Sequence, residues 1–249
     1  MQRYFLEVAY LGTNYSGFQT QLNAPTIQDA LEKALTTYYR RPVELTGSSR
    51  TDAGVHALQN FFHGDAGEGE FQDKHIYAIN ALLAKEIALK RFIPVNDKAH
   101  CRFDALYRKY EYRLHAERNP FLKDVSWIYP YPLDLEAMEQ CASYLLEVSD
   151  FTSFSKRNTQ ARTMMCTLNQ SFWRKTDDQL IYTVQANRFL RGMVRGLTGT
   201  MLQAGRGKIS FADFTGIVKT RDCRFANFSP PGKGLFLMEV GFPEGLGID

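Results

Sequence analysis

Arg50 and Asp52 stand two residues apart in the stretch Gly47-Ser48-Ser49-Arg50-Thr51-Asp52-Ala53-Gly54-Val55-His56. A carboxylate can attack as a nucleophile or stabilise a developing cation, provided it is ionised and shielded from water. A guanidinium close by keeps such a carboxylate charged and opposes the effect of burial. Gly54, two residues beyond Asp52, lets another backbone or a ligand approach closely. Ser48, Ser49 and His56 form no recognised nucleophile motif, and the chain has no Walker loop, no G-x-G-x-x-G and no H-E-x-x-H. The reaction this loop supports is therefore expected to run without a bound cofactor.

Two other segments carry residue types suited to a nucleic acid. From Arg102 to Tyr112 basic and aromatic residues interleave. On a strand, Arg108, Tyr110 and Tyr112 share one face, with Lys109 between them on the other. Aromatic rings set among Arg and Lys suit stacking on a splayed-out RNA base. Further on, Arg188, Arg191 and Arg195 fall at i, i+3 and i+7, the spacing of one helical face, in a segment predicted as a helix over Phe189–Ala204. Facing phosphates or the central carboxylate, they would neutralise charge. Gly192, Gly196 and Gly199 thin that helix, at about 1 kcal/mol each relative to alanine if they lie in its interior.

The elements that must position these residues follow from periodicity. Arg3–Tyr10 reads as a strand. Thr26, with Asp29 three residues on, caps a helix whose apolar face is Ile27, Leu31, Ala34, Leu35 and Tyr38. The strands Val43–Thr46 and Leu58–His63 flank the central loop, and a helix over Lys74–Ala84 and a strand Ile87–Phe92 follow. After the Pro94–Lys98 turn the pattern restarts: a strand Tyr107–His115, a helix capped by Asp134, and a hairpin of Leu168–Trp173 with Leu180–Ala186. The Arg-rich helix, a helix Phe211–Val218 and a strand Leu235–Val240 complete it. The fold class is α+β, two antiparallel-sheet-and-helix halves of ferredoxin-like element order β-α-β-β-α-β, covering residues 1–98 and 99–249.

Composition narrows the class of partner. The chain has 249 residues, 44% apolar and 23% charged, the ordinary soluble globular range. Net charge is only +3, but Arg188–Lys208 holds five basic residues and no acidic one, and Lys156–Arg162 three and none. Unopposed basic runs suit a polyanionic partner. Four scattered cysteines without a C-x-x-C pair point to reduced thiols, and the histidines show no metal-ligand spacing, so no metal is expected. No signal-peptide or membrane-spanning pattern is visible, which leads us to expect a cytoplasmic protein.

Arg50-Thr51-Asp52-Ala53-Gly54-Val55-His56 resembles the signature of the TruA-type tRNA pseudouridine synthases. Tyr10-Leu11-Gly12 with Gly17-Phe18-Gln19, Arg108-Lys109-Tyr110-Glu111-Tyr112, Asp150-Phe151-Thr152-Ser153-Phe154, Met193-Val194-Arg195 and Pro230-Pro231 follow in the family's order. The resemblance implies the pseudouridine synthase fold about a central RNA-binding cleft, and isomerisation of uridine to pseudouridine in the anticodon stem-loop of tRNA. It also implies a homodimer, and neither a metal nor an organic cofactor. It makes Asp52 the catalytic aspartate, Tyr110 the ring on the target uracil, Arg195 the basic partner of the aspartate, and Arg50 the residue that displaces or holds the flipped base. Arg188, Arg191, Arg108 and Lys109 are candidate contacts to the RNA backbone. The chain departs from the family at Leu11, Phe18 and Thr20, where Asp, Trp and Arg are usual. Two rival readings use the same residues: an RNA-binding protein that has lost the reaction, and a glycosidic hydrolase pairing Asp52 with a second acid.

Overall fold

The computed structural model describes residues 1–157 and 161–248, so the centre of the basic run Lys156–Arg162 lies outside the described residues. The chain packs as two compact units, one of Met1–Leu106 with the C-terminal residues from Leu237, the other of Tyr107–Phe236.

In the first unit the order is β1 (Gln2–Tyr10), α1 (Ile27–Tyr39), β2 (Thr46–Gly47), β3 (His56–Ala66), α2 (Ile76–Leu82) and β4 (Ile87–Val95). This is the expected β-α-β-β-α-β sequence. β1 is central, pairing antiparallel with β3 (Phe5 opposite His63) and with β4 (Phe5 opposite Ile93). Residues 4–8 of β1 are all buried, so both sheet faces are covered. One face gathers Phe5, Phe61 and Phe242; the other stacks Phe18 on Phe62 at 4.3 Å. Phe18 is thus core rather than surface, at 1% exposure. Helix α1 begins where expected: the Thr26 hydroxyl accepts the Asp29 N–H at 3.2 Å. It buries Ile27, Leu31, Ala34 and Leu35.

The strand expected over Val43–Thr46 shrinks to Thr46–Gly47, paired with His63 and Phe62 of β3. Val43 and Leu45 are buried, but the backbone N–H groups of both go to helix α1 side chains, Thr36 and Glu32, rather than into a ladder. Their apolar alternation signals burial, and here burial does not bring strand pairing.

In the second unit β5 (Tyr107–His115) pairs antiparallel with β8 (Leu180–Ala186), and β8 with β7 (Leu168–Lys175) in the expected hairpin. A two-residue strand β6 (Trp127–Ile128) adds a parallel bridge to the end of β5. Helices α3 (Leu135–Tyr144), α4 (Met193–Gly205) and α5 (Phe211–Thr220) pack together. Asp134 and Ser210 cap α3 and α5 through their side chains. A last strand, β9 (Leu235–Gly241), carries the chain from the second unit's residues to the first's. Among the described residues no helix is long and apolar enough to cross a membrane.

Candidate active site

The loop that carries Asp52 runs from β2 to β3 and is fixed from below by one buried amide. The Asn60 Nδ2 donates to the Ser49 carbonyl at 2.9 Å and to the Tyr10 hydroxyl at 3.1 Å. Its Oδ1 accepts from the N–H groups of Phe61 at 2.9 Å and of Ser49 at 3.3 Å. Tyr10 in turn lies 2.8 Å from the Thr51 hydroxyl. Asn60 has no exposed surface, so each of these bonds is made where water cannot substitute.

From above, the loop is held by the segment after β1. Phe18 N–H donates to the Thr51 carbonyl and Gly54 N–H to the Tyr15 carbonyl, at 3.1 and 3.3 Å. His56, also fully buried, accepts the Gly12 N–H on its Nδ1 at 3.0 Å. A Cβ on Gly12 would collide with the Val55 carbonyl, so the strand end and the loop approach closely because residue 12 has no side chain. Gly54 sits at φ +73°, in the left-handed region that turns the chain into β3. Between these supports Asp52 is half-buried and Arg50 exposed. Their neighbours Ser49, Thr51 and Val55 are buried, which leaves the two charged side chains displayed from a backbone held on both sides.

In the second unit Tyr110 lies on β5 opposite Val184, 8% exposed, with the Phe189 ring edge-on at 5.0 Å. Arg195 is on α4. Eleven of this helix's thirteen residues are buried, and Arg195 is one of the two that retain partial exposure. Its Nε donates to the Pro230 carbonyl at 2.6 Å, while the Tyr112 hydroxyl donates to the Pro231 carbonyl at 2.8 Å. Burial pushes the Tyr112 phenol well above its ordinary range against the opposing charge of Arg195, so this hydroxyl stays a donor. The Pro230-Pro231 pair, which cannot donate, thus serves as two adjacent acceptors, the first for Arg195 and the second for Tyr112.

The arginine stripe predicted from i, i+3, i+7 spacing does not form. Helix α4 starts at Met193, behind Gly192 at φ +73°, so Arg188 and Arg191 precede it and do not share a helical face with Arg195. Gly192 is therefore the residue before the helix rather than an interior position. Gly196 and Gly199 are interior, and they pack where a side chain would meet Phe228 and the Asn227 carbonyl. Arg191 is exposed, Arg188 and Lys109 are half-buried, and Arg108 is buried with its guanidinium donating to the Asn187 carbonyl at 3.2 Å.

Sequence spacing gave no reason to group His63, His100 and Cys101. The fold brings their donor atoms within 4.8 Å of one another. Hydrogen bonds run through the group: His63 Nδ1 lies 3.2 Å from the Cys101 sulfur, and the Cys101 N–H points to the same nitrogen at 3.4 Å. Burial, aided by His100 and Arg3, lowers the His63 pKa to about 4, so the imidazole is neutral at pH 7.

A family model described as tRNA pseudouridine synthase matches residues 7–104 and 142–243. The chain belongs to the tRNA pseudouridine synthase family. It is 40% identical to the tRNA pseudouridine synthase A of Parabacteroides distasonis over 248 residues, covering 99% of this chain and 98% of that one. With the Bacteroides fragilis protein of the same name identity is 42% over 246 residues, 98% of both. With that of Staphylococcus aureus it is 34% over 244 residues, 97% of this chain and 92% of the other. Both parts of the match to the synthase family include residues singled out above: Arg50 and Asp52 fall in the first, Arg195 and the Pro230-Pro231 pair in the second.

Proposed function

We propose that this chain isomerises uridine to pseudouridine in the anticodon stem-loop of tRNA, as a homodimer and without a cofactor. The observation that carries the reading is the Arg50–His56 loop, held on both sides by buried hydrogen bonds, in a chain of the tRNA pseudouridine synthase family.

The reaction is redox-neutral. The C1′–N1 bond of the target uridine breaks, the uracil turns in place, C5 bonds to C1′, and the C5 proton leaves while N1 gains one. Asp52 supplies the electron pair that holds the sugar carbon while the base is detached. Arg195 is the basic partner that the resemblance to the family gives this carboxylate, a guanidinium that keeps it ionised. The uridine must first leave its stack, at a cost of a few kcal/mol, and Arg50 takes the place of the flipped base. Tyr110 packs on the uracil, and its hydroxyl relays the C5 proton to water at the end, giving up its own proton as it takes up the new one.

Release of tritium from tRNA carrying 5-tritiated uridine tests this directly, with wild type beside Asp52→Ala and no added metal or nucleotide. Release by wild type alone is expected. Binding without release by either protein would support an RNA-binding role instead, and free uracil in the supernatant would support hydrolysis.

A further inference from the structure

Beside the catalytic loop, within the first unit, a cavity of about 260 Å³ opens between Gly47 and Arg50 on one side and His100, Arg102 and Phe103 on the other. Phe103 is 74% exposed. Its ring is not a loose surface group. His100 lies against it with ring centroids 4.2 Å apart and planes tilted 40°, and the Arg102 guanidinium carbon is 5.7 Å from its centroid.

The turn that displays this ring is tied down at almost every residue. Phe103 and Asp104 N–H groups donate to the His100 carbonyl, and the Asp104 carboxylate accepts the His100 N–H at 2.8 Å. The Arg102 N–H donates to His100 Nδ1 at 3.2 Å. Cys101 fastens the turn to the approach of the catalytic loop: its carbonyl accepts from the Ser48 hydroxyl at 2.7 Å and its thiol points to the Thr46 carbonyl at 3.3 Å. An aromatic face held outward by a rigid turn, flanked by two arginines and a histidine, has the chemistry of a base-stacking platform: π-face for the base, cations for the phosphate. The same cavity is walled by Arg50, two residues from Asp52 on the same loop.

We propose that Phe103, backed by His100 and Arg102, stacks the base of a nucleotide flanking the target uridine, with Arg102 on its phosphate. This inference rests on the proposed reaction. It makes Phe103 a positioning residue, and it assigns to this turn part of the holding of the RNA strand once the target base has left the stack.

The test uses an anticodon stem-loop RNA with 2-aminopurine placed in turn at each position flanking the target, a base whose fluorescence is quenched by stacking. Wild type, Phe103→Leu and Phe103→Trp are compared for fluorescence, half-saturating RNA concentration and single-turnover rate of pseudouridine formation. Expected is quenching at one flanking position with wild type and Phe103→Trp but not with Phe103→Leu, and a half-saturating concentration raised about tenfold in Phe103→Leu alone. The melting midpoint should be the same in all three, since the ring is exposed. Equal fluorescence and equal half-saturation in wild type and Phe103→Leu would overturn the proposal, as would equal impairment of the leucine and tryptophan variants. Quenching by a wild-type protein that forms no pseudouridine would instead retain the platform and remove the reaction.

Discussion

Asn60 and Ser49 exchange two hydrogen bonds, amide side chain to backbone, beneath the loop that displays Asp52. Asn60→Ala leaves the Ser49 N–H and carbonyl and the Phe61 N–H without these partners in a buried place. The variant is expected to lose about 2–4 kcal/mol of stability, measured by urea denaturation. Pseudouridine formation, assayed well below the variant's melting midpoint, should fall further than the unfolded fraction explains, because the loop backbone loses its template.

Tyr110→Phe separates the two roles proposed for that ring. The stacking surface survives, so tRNA binding should stay within about twofold of wild type. Loss of the proton acceptor should slow tritium release at saturation by about 100-fold or more. A near-normal release rate would leave Tyr110 a stacking surface only.

Arg195→Lys tests whether charge or direction matters. Lysine keeps the positive charge but cannot reproduce a planar guanidinium fixed through Nε on the Pro230 carbonyl. Activity is expected to fall about tenfold or more in Arg195→Lys and further in Arg195→Ala. Tyr112→Phe, which frees the neighbouring Pro231 carbonyl, should give a smaller loss of the same kind.

Stability should depend on pH through His63. In the fold its pKa is lowered to about 4 by burial, against an ordinary value of 6.5 in the unfolded chain. The unfolded state therefore binds more protons between those values, and folding stability is complete above pH 6.5 and falls as pH drops towards 4. The loss reaches at most about 3 kcal/mol. His100, lowered in the same direction mainly by burial, adds to it. Urea denaturation at pH 7 and pH 5 should show the drop in wild type and a flatter dependence in His63→Gln.

The order of elements was legible because each carries its own local signal. Thr26 and Asp134 sit where their side chains cap a helix start, and the Leu168–Ala186 hairpin alternates on both arms. The i, i+3, i+7 spacing of Arg188, Arg191 and Arg195 does not make one helical face, because spacing ignores where a helix begins and a left-handed Gly192 sets the start of α4 after the first two. Asn60 carried no signal at all. A buried asparagine in an apolar strand reads as an interruption, and only the register that places it under Ser49 reveals four bonds. His63, His100 and Cys101 were equally invisible, since 36 residues of intervening chain separate the strand residue from the turn.

The bonds from Asn60, His56 and Tyr10 give the Asp52 loop no hinge of its own. Under the proposed reaction the adaptation then falls to the RNA, whose strand must bend to bring a sugar to a carboxylate that does not come out to meet it. A uridine in a stiff, well-stacked helix resists this, and one in a weak pair or a loop yields. Selection of the target would in this way be a mechanical test of the substrate, passed by the site that deforms most cheaply rather than by the one with the most legible sequence.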